Sequence, residues 1–533
     1  MDALQELAKG VQELQKRPGV EHEVLEPLAM GRMRRSAAPG AVSAVRGAGV
    51  EHFSARAVLV VHGMGQQVRF QAIDQIAQGL LREGVGTVKN PVARTVKIGD
   101  ETYQRLEISL PLPHGGEREV HVYEAYWAPI TEGQVTLRDV TSFLFGAAFN
   151  GVRNLGGALR YSFGRAHTIW PSFSSVIALG SAFGVLLTLV AMNAVLLALA
   201  ALKGLEPGFV SVPLEAHLKA SEPALLTILA AFSLATLALL LVLAGVDWVK
   251  RRTARVPLGG LWRALGFLLE GLFLVWLLLS LLSGLAVAVL ASGLGPVSWL
   301  RNTFSYAWLE NHWMLLLAAL LLISNLVRRL FVQYLGDVAA YVTPFKLDRF
   351  AEVRSRIKEV ARKTAAAVYE ATEEGESKVW AYEGVAVVGH SLGSVVAYDA
   401  LNALLVDDAV SAEKRGVAER TRLFLTFGSP LEKTAFLFAS QAKRTTETRE
   451  ALVASLQPLI SDYAFRPFRW VNVFSRRDPI SGRLVSYDDT SQPLYRKRRI
   501  RNLPDRAAVL PLFAHLEYFG DPVFIRQLVR ALR

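Results

Sequence analysis

The chain has no cysteine among its 533 residues. Disulfide bonds, thiolate nucleophiles and cysteine-ligated metal sites are therefore excluded. The sequence also lacks a cluster of metal ligands, a phosphate-binding Gly-x-x-x-x-Gly-Lys motif and a dinucleotide fingerprint. We therefore expect no metal ion and no cofactor.

A continuous apolar stretch typical of a secretory signal is also missing from residues 1–17. Apolar residues from Leu4 to Leu14 instead recur at helical spacing. This pattern indicates either a short helix that packs on the body or an interfacial, self-associating helix. It leaves homo-oligomer formation open.

Acidic residues are outnumbered, since 47 Asp and Glu face 59 Lys and Arg and give a net charge of +12. The basic residues are scattered, and no helix-turn-helix, zinc-finger or RNP pattern accompanies them. Nucleic acid is therefore not an expected partner. The densest basic group, Lys250 to Arg255, lies beside an apolar segment, where such residues commonly set membrane orientation.

Charged residues are scarce between Phe173 and Phe331, and 52% of the whole chain is hydrophobic. Four apolar runs in this region are each long enough for a membrane helix, which takes about 20 residues. Core helices of soluble proteins seldom run so far without charge, so we predict four transmembrane helices. The runs are Phe173–Leu202, Ala224–Val246, Gly266–Ala291 and Trp308–Phe331.

Two features near these runs allow two interpretations each. Thr141–Pro171 is Gly-rich and mildly apolar, and is either an interfacial segment or a plain connecting helix. Glu270, close to the start of the third run, is either an anchor at the headgroups or a functional intramembrane carboxylate.

The placement of Lys and Arg predicts the orientation. They concentrate before the first run, between the second and third, and after the fourth. Because basic loops remain on the cytoplasmic side, we predict that both termini and the flanking regions are cytoplasmic. In a bacterium the membrane would be the inner, plasma membrane. Such a multi-pass protein would have the lipid bilayer as a partner.

The two regions that flank the membrane block have the pattern of one α/β domain. Short apolar runs typical of buried parallel strands alternate with segments of helical spacing such as Leu347–Glu370 and Ser394–Leu405. The predicted strands are Ala57–Val61, Glu119–Trp127, Gly384–Val388, Leu423–Phe427 and Trp470–Phe474. The chain then divides into an amphipathic or flexible segment (1–50), a first α/β part (51–135), a membrane domain (136–335) and a second α/β part (336–533).

The pentapeptide Gly389-His390-Ser391-Leu392-Gly393 follows a predicted strand and opens a predicted helix. A nucleophile elbow requires this context, because a sharp strand-to-helix turn exposes the serine above the sheet. The helix that follows places free N–H groups near a developing oxyanion. The alternative is a Gly-rich turn with an idle serine.

Four motifs occur in the order His62-Gly63-Met64-Gly65, Gly389–Gly393, Asp478-Pro479 and His515. Together they resemble the α/β-hydrolase superfamily, especially its lipase and esterase branches, including serine-esterase groups with inserted membrane segments. The resemblance covers about Ala55–Ile130 and Val379–Gly520. It implies an α/β-hydrolase fold, a mostly parallel sheet flanked by helices, which a four-helix transmembrane insertion interrupts here.

The resemblance implies a role for each matched residue. Ser391 attacks an acyl carbonyl, and Asp478 orients the imidazole of the base. That base is His515, which is expected in a loop after the last strand and accepts the serine proton. The backbone N–H groups of Met64 and Leu392 form the oxyanion hole. The supporting positions of the motifs are His62, Gly63, Gly389, His390 and Gly393.

Other residues compete for these roles. Asp462, Asp488 and Asp489 are alternative acids, and a plain Asp-Pro turn is the alternative interpretation of Asp478. His62 is an alternative base near the site.

The predicted function is a membrane-anchored serine hydrolase that cleaves acyl esters of lipids or other membrane-partitioned compounds. The alternative is a catalytically silent hydrolase fold that serves as a membrane scaffold or interaction protein. A transporter is disfavoured, because the apolar runs hold few polar residues and no pair of broken helices.

Overall fold

The computed structural model describes most of residues 55–170, 184–197, 212–292, 313–330, 341–441 and 466–533, with shorter gaps inside these ranges. The N-terminal segment 1–50 and its predicted helix lie outside the described residues.

An eight-stranded sheet contains strands from both sides of the apolar region, in the order β10-β9-β8-β7-β1-β4-β3-β2. β1, β4, β7, β8, β9 and β10 run parallel, while β2 and β3 are antiparallel at one edge. A separate antiparallel hairpin is formed by β5 and β6. The strands are β1 (Ala55–Val61), β2 (Val92–Ile98), β3 (Glu101–Pro111), β4 (Glu117–Ala125), β5 (Ala158–Ser162), β6 (Arg165–Ile169), β7 (Tyr382–His390), β8 (Thr421–Phe427), β9 (Arg469–Phe474) and β10 (Arg501–Pro504).

Helices cover both faces of this sheet and also form the apolar region. They are α1 (Gln71–Glu83), α2 (Ala128–Thr131), α3 (Gly184–Val195), α4 (Val212–Thr253), α5 (Gly259–Ser292), α6 (Trp313–Leu330), α7 (Asp348–Glu370), α8 (Leu392–Val410), α9 (Val417–Arg420), α10 (Leu431–Gln441), α11 (Ala514–Glu517) and α12 (Pro522–Leu532). The chain is therefore an α/β protein with a mostly parallel sheet flanked by helices.

Alternate residues of the central strand β1 enter two different cores, because side chains alternate between the faces of a strand. Leu59 belongs to the core that α7 and α8 cover, and Val60 belongs to the core that α1 and α12 cover. Both residues are at most 2% exposed, so β1 is buried on both faces. This burial explains the continuous apolar run that predicts the strand.

The apolar region lies in the chain between β4 and β7. Two of its helices, α4 and α5, contain stretches long and apolar enough to cross a membrane, Ala224–Val246 and Ala264–Val289. The first predicted span is represented by the shorter apolar helix α3, and the fourth by α6. Residues of α3, α4, α5 and α6 share one apolar cluster, with Met192, Leu229, Val287 and Leu320 among its members. The arrangement of four spans stays a prediction.

The structure confirms the predicted strands and helices of the flanking regions, with ends that differ by a few residues. Three features differ from the expectations. β2 and β3 were not predicted at all. Part of Thr141–Pro171 forms the hairpin β5–β6, so a plain connecting helix is wrong there. His515 lies in the short helix α11 rather than in a loop.

Candidate active site

The carboxyl ends of the parallel strands meet at one edge of the sheet, where the predicted site residues also lie. From β1 the chain next adds β4 on one side and, after the apolar region, β7 on the other. The strand order therefore reverses between β1 and β7. Open α/β sheets bind ligands in the crevice at such a switch point. Here it lies between His62, which follows β1, and Ser391, which follows β7.

Ser391 joins β7 to α8 in a strained conformation. Its φ of 53° and ψ of −132° lie in a region that residues with a side chain rarely adopt. The backbone N–H of Ser391 donates to the Phe427 carbonyl of β8 at 3.0 Å, and its own carbonyl accepts from the Ser394 N–H at 2.9 Å. These contacts hold the turn that sequence analysis predicts as an elbow.

Gly393 is required by the close approach of α8 to the end of β1. A Cβ at this position would lie 2.1 Å from the His62 carbonyl oxygen and 2.3 Å from that of Val61, both backbone atoms that have no freedom to move aside. Gly63 faces the elbow from the other side, since its Cβ would lie 2.8 Å from the Cβ of Ser391. The loop after β1 is therefore in contact with the serine, while Gly389 lies within β7.

A continuous chain of hydrogen bonds joins Ser391, His515 and Asp478. The serine Oγ lies 2.7 Å from Nε2 of His515, whose Nδ1 lies 2.9 Å from Oδ2 of Asp478. With the tautomer assigned from these partners, Nδ1 donates to the carboxylate and Nε2 accepts the hydroxyl proton. All three residues are at most 3% exposed. Their distances match those of a nucleophile, a base and an orienting acid.

The carboxylate of Asp478 has further donors. The backbone N–H of Ile480 donates to Oδ1 at 2.8 Å, and the Tyr518 hydroxyl donates to Oδ2 at 2.8 Å. Burial raises the pKa of the Asp478 carboxyl, but His515, Lys433 and the Ile480 N–H outweigh burial and hold that pKa well below its usual range. Asp478 is therefore ionised at neutral pH.

No motif in the sequence marks Tyr518 or Lys433 as a site residue. Tyr518 follows His515 by three residues, and this helical spacing is the signal that could have identified it. Lys433, in α10, donates from Nζ to the Ser481 carbonyl at 3.3 Å. Burial lowers the pKa of Lys433 to about 8, although the charge of Asp478 opposes the shift. The amine of Lys433 therefore lies close enough to Asp478 for the two charges to interact.

His62 is held by backbone groups through both ring nitrogens. Nδ1 donates to the Gly63 carbonyl at 2.8 Å, and Nε2 accepts the Trp127 N–H at 3.0 Å. Its ring also stacks on the Trp127 indole, with centroids 4.8 Å apart. Burial lowers the pKa of His62 to about 4. Both ring nitrogens are thus occupied, which argues against His62 as the base. His62 instead connects the end of β1 to Trp127, which follows β4.

His390 packs against the imidazole of His515. Its Nε2 donates to the backbone carbonyl of His515 at 3.3 Å, and the two rings stack with centroids 5.2 Å apart. Burial, followed by the charge of His515, lowers the pKa of His390 to about 3. The ring is therefore neutral at physiological pH and positions His515 without adding charge.

Met64 and Leu392, the residues expected to form an oxyanion hole, flank the serine. Met64 follows β1 and is 2% exposed, and Leu392 is the first residue of α8. The first turn of a helix leaves its N–H groups without intrahelical acceptors. Such groups lie at the amino end of a helix dipole, where negative charge is stabilised.

The other predicted acids are not at this position. Asp488 forms an ion pair with Arg466, with Oδ1 2.9 Å from Nη1. Asp462 and Asp489 lie outside the described residues.

Ser429, a second serine close to Ser391, accepts a hydrogen bond from Ser394 at 2.6 Å and lies in the turn before α10.

A separate group of three residues brings potential metal ligands together, namely Glu107, Glu119 and His121. Arg105 and Arg94 lie 2.6 Å and 2.7 Å from the two carboxylate oxygens of Glu107. His121 lies 2.6 Å from Glu119 through Nε2 and 2.9 Å from the Tyr382 hydroxyl through Nδ1. These ligand atoms are already engaged with one another and with arginine, so we assign no metal to them.

The sequence was also compared with known proteins. No protein family, no curated protein and no solved structure matches it.

Proposed function

We propose that the chain is a membrane-anchored serine hydrolase of the α/β-hydrolase type that cleaves carboxylic esters. One observation carries the proposal: the strained Ser391 is hydrogen-bonded to His515, which is hydrogen-bonded to the ionised Asp478. A serine hydroxyl is a weak nucleophile unless a base accepts its proton. This arrangement supplies that base with a defined tautomer.

In the proposed reaction Ser391 Oγ attacks the ester carbonyl carbon while His515 Nε2 accepts the hydroxyl proton. The tetrahedral intermediate collapses, the carbon–oxygen bond to the alcohol breaks, and His515 donates the proton to the leaving alcohol. Water then attacks the acyl-serine, with its proton again passing to His515, and the acid leaves as Ser391 is restored. Asp478 stabilises the imidazolium in both halves.

The oxyanion of the intermediate would lie between the loop after β1 and the first turn of α8. The contact of Gly63 with Ser391 supports this placement, as does the position of Leu392 at the start of the helix. In such sites a single lost donor typically costs roughly 3–4 kcal/mol in the barrier. Met64 and Leu392 remain our candidates for the two N–H donors.

A lipid or another membrane-partitioned ester is the proposed substrate class. Only 33% and 22% of the most apolar stretches of α4 and α5 is buried within the protein, whereas a helix from the core of a soluble protein would be mostly buried. Large apolar side chains of α4 such as Leu234 and Leu241 are more than two-thirds exposed. Contiguous apolar surface of this kind favours contact with lipid.

The pairing of strands constrains how the insertion crosses a bilayer. β1 precedes the apolar region and β7 follows it, yet the two are neighbours in one sheet. Both ends of the insertion must then lie on one side, so the number of crossings is even. We propose four crossings, with both termini and the catalytic part in the cytoplasm.

The test is labelling of membranes that contain the protein with a fluorophosphonate probe, which reacts with activated serines. We expect labelling of the wild type and none of Ser391→Ala. The matched control is Ser411→Ala, at the other end of α8, which should label like the wild type. A folded wild type that does not label would favour the silent scaffold.

The same protein, reconstituted in lipid, tests the substrate class. Hydrolysis of bilayer lipid esters or other membrane-partitioned acyl esters is expected, and should be lost in Ser391→Ala. Rapid cleavage of short soluble esters with no action on any lipid class in bilayers would refute a membrane-partitioned substrate, while leaving the hydrolase proposal intact.

A further inference from the structure

The apolar helix α5 contacts the active-site edge of the sheet beside the acid. Arg477 immediately precedes Asp478, and its Nε lies 3.2 Å from Oε2 of Glu270 in α5. The guanidinium carbon of Arg477 also lies 5.0 Å from the centre of the Phe267 ring, one turn earlier on the same helix. Two side chains of α5 therefore hold the residue next to the acid.

The environment of this contact distinguishes it from a surface ion pair. The Arg477 side chain is only 13% exposed, whereas that of Glu270 is 45% exposed. Fully exposed pairs contribute little, but a shielded cation depends on its partner more strongly. The ring of Phe267 adds a cation–π contact, which also fixes the direction of the guanidinium.

The backbone around Asp478 transmits the position of Arg477 to the carboxylate. The Arg477 N–H donates to Ser475 Oγ at 3.1 Å, and the Ile480 N–H donates to Asp478 Oδ1 at 2.8 Å. The turn is thus closed by hydrogen bonds on both sides of Arg477. A shift of the Arg477 backbone would move Asp478 with it, because the two residues share a planar peptide bond.

We propose that Glu270 and Phe267 hold Arg477 so that the apolar helix α5 positions the Asp478 carboxylate against His515. The inference rests on the proposed hydrolase function and extends it. Glu270 and Arg477 are positioning residues, since they act through Asp478. The active geometry then depends on where α5 lies in the membrane, which couples the triad to the insertion.

The test compares Glu270→Gln with the wild type in lipid nanodiscs, by two measurements. The first is hydrolysis of a short soluble ester, for which kcat should fall roughly twofold to thirtyfold, the range seen for coupled residues. KM should stay unchanged, because neither residue contacts the substrate. The second is amide hydrogen exchange, which should become faster in the peptide that spans residues 475–481.

A control variant and a double-mutant cycle separate positioning from general weakening. Glu83→Gln removes a more exposed ion pair away from Asp478, with Arg526 Nε at 2.8 Å between α1 and α12, and should alter neither measurement. Arg477→Gln should lower kcat at least as much as Glu270→Gln, because it also removes the contact with the Phe267 ring. The double variant should be no worse than Arg477→Gln alone, because the ion pair is already lost in that variant. Glu270→Asp, which keeps the charge, should recover part of kcat.

The outcomes are distinguishable from those of the hydrolase proposal. Unchanged exchange in Glu270→Gln overturns the link whatever the activity, and faster exchange with unchanged kcat overturns its positioning role. If the wild type neither hydrolyses esters nor labels with fluorophosphonate, the hydrolase function fails. Faster exchange in residues 475–481, the turn around Asp478 that we call the acid turn, would then still uphold the physical link between α5 and this turn.

Discussion

The Tyr518 hydroxyl connects Asp478 to Ser475 and Ser481 of the acid turn. It donates to Asp478 Oδ2 at 2.8 Å and accepts the Ser475 N–H at 2.8 Å. It also shares a hydrogen bond of 2.8 Å with Ser481 Oγ. Burial, followed by the charge of Asp478, raises the pKa of Tyr518 well above its usual value. The phenol therefore stays protonated and remains a fixed donor to the acid.

Tyr518→Phe should lower kcat about threefold to tenfold with KM unchanged. This is less than the full roughly 1.5–3 kcal/mol of a hydrogen bond to a charged group, because the Ile480 N–H and His515 still hold the Asp478 carboxylate. The measurement is steady-state hydrolysis of a soluble ester. Tyr487→Phe is the control, since this buried tyrosine donates to the Leu431 carbonyl instead. A kcat equal to that of the wild type would show that Tyr518 is merely packed there.

At the residue scale, a site residue could be predicted where a motif restricts both the residue type and its position. Ser391 could be predicted because glycines flank it after an apolar strand, and the resemblance to α/β-hydrolases pointed to His515 and Asp478 through their order in the chain. Tyr518 and Lys433 carry no such mark, since tyrosine and lysine fill many ordinary positions. Arg477 and Glu270 lie far apart in the sequence, so only the packing of α5 on the acid turn reveals their contact.

At the scale of elements, burial decided which strands could be predicted. The central strands are buried on both faces, so they are continuous apolar runs. β2 is exposed along most of its length, and its apolar face of Val92, Val96 and Ile98 is interrupted by Arg94, which weakens the alternation that indicates a strand. Its pairing with β3 supplies backbone hydrogen bonds that the sequence pattern does not report.

The proposed membrane crossing of α4 leads to a prediction at this scale. Because the chain contains no cysteine, a single introduced cysteine is the only thiol available to a label. Ser211 precedes α4 and Thr253 ends it. If α4 crosses the bilayer, an impermeant maleimide should label Ser211→Cys in intact expressing cells, and should label Thr253→Cys only after permeabilisation.

The cysteine-free wild type is the background control for this labelling. The retained ability of both variants to react with fluorophosphonate would confirm that the catalytic part still folds. Labelling of both cysteines from the same side would exclude a crossing by α4 and remove the membrane orientation that we propose.

At the scale of the whole molecule, three histidines lie near the switch point between β1 and β7. His62 belongs to the chain before the apolar insertion, and His390 and His515 belong to the chain after it. His62 and His390 are at most 4% exposed and are bonded to backbone groups in their neutral forms. The fold that joins the two chain segments therefore depends on keeping these rings uncharged.

The stability of the catalytic part should consequently fall in acid. In the unfolded chain a histidine has a pKa of about 6.5, whereas burial lowers the pKa of His62 to about 4 and that of His390 to about 3. Between these values the unfolded state binds more protons, so stability is fully present above about pH 6.5 and is lost as the pH falls. Each ring contributes up to about 1.4 kcal/mol per pH unit in this window.

We therefore expect the unfolding temperature, followed by the fluorescence of the buried Trp127 and Trp470, to decrease steeply between about pH 6.5 and pH 4. His390→Gln replaces the ring with an amide that does not titrate and can still donate to the His515 carbonyl. The unfolding temperature of this variant should decrease less steeply with falling pH, because only His62 of the two histidines still contributes. An equally steep decline in the variant would mean that His390 is not the buried neutral group that the structure describes.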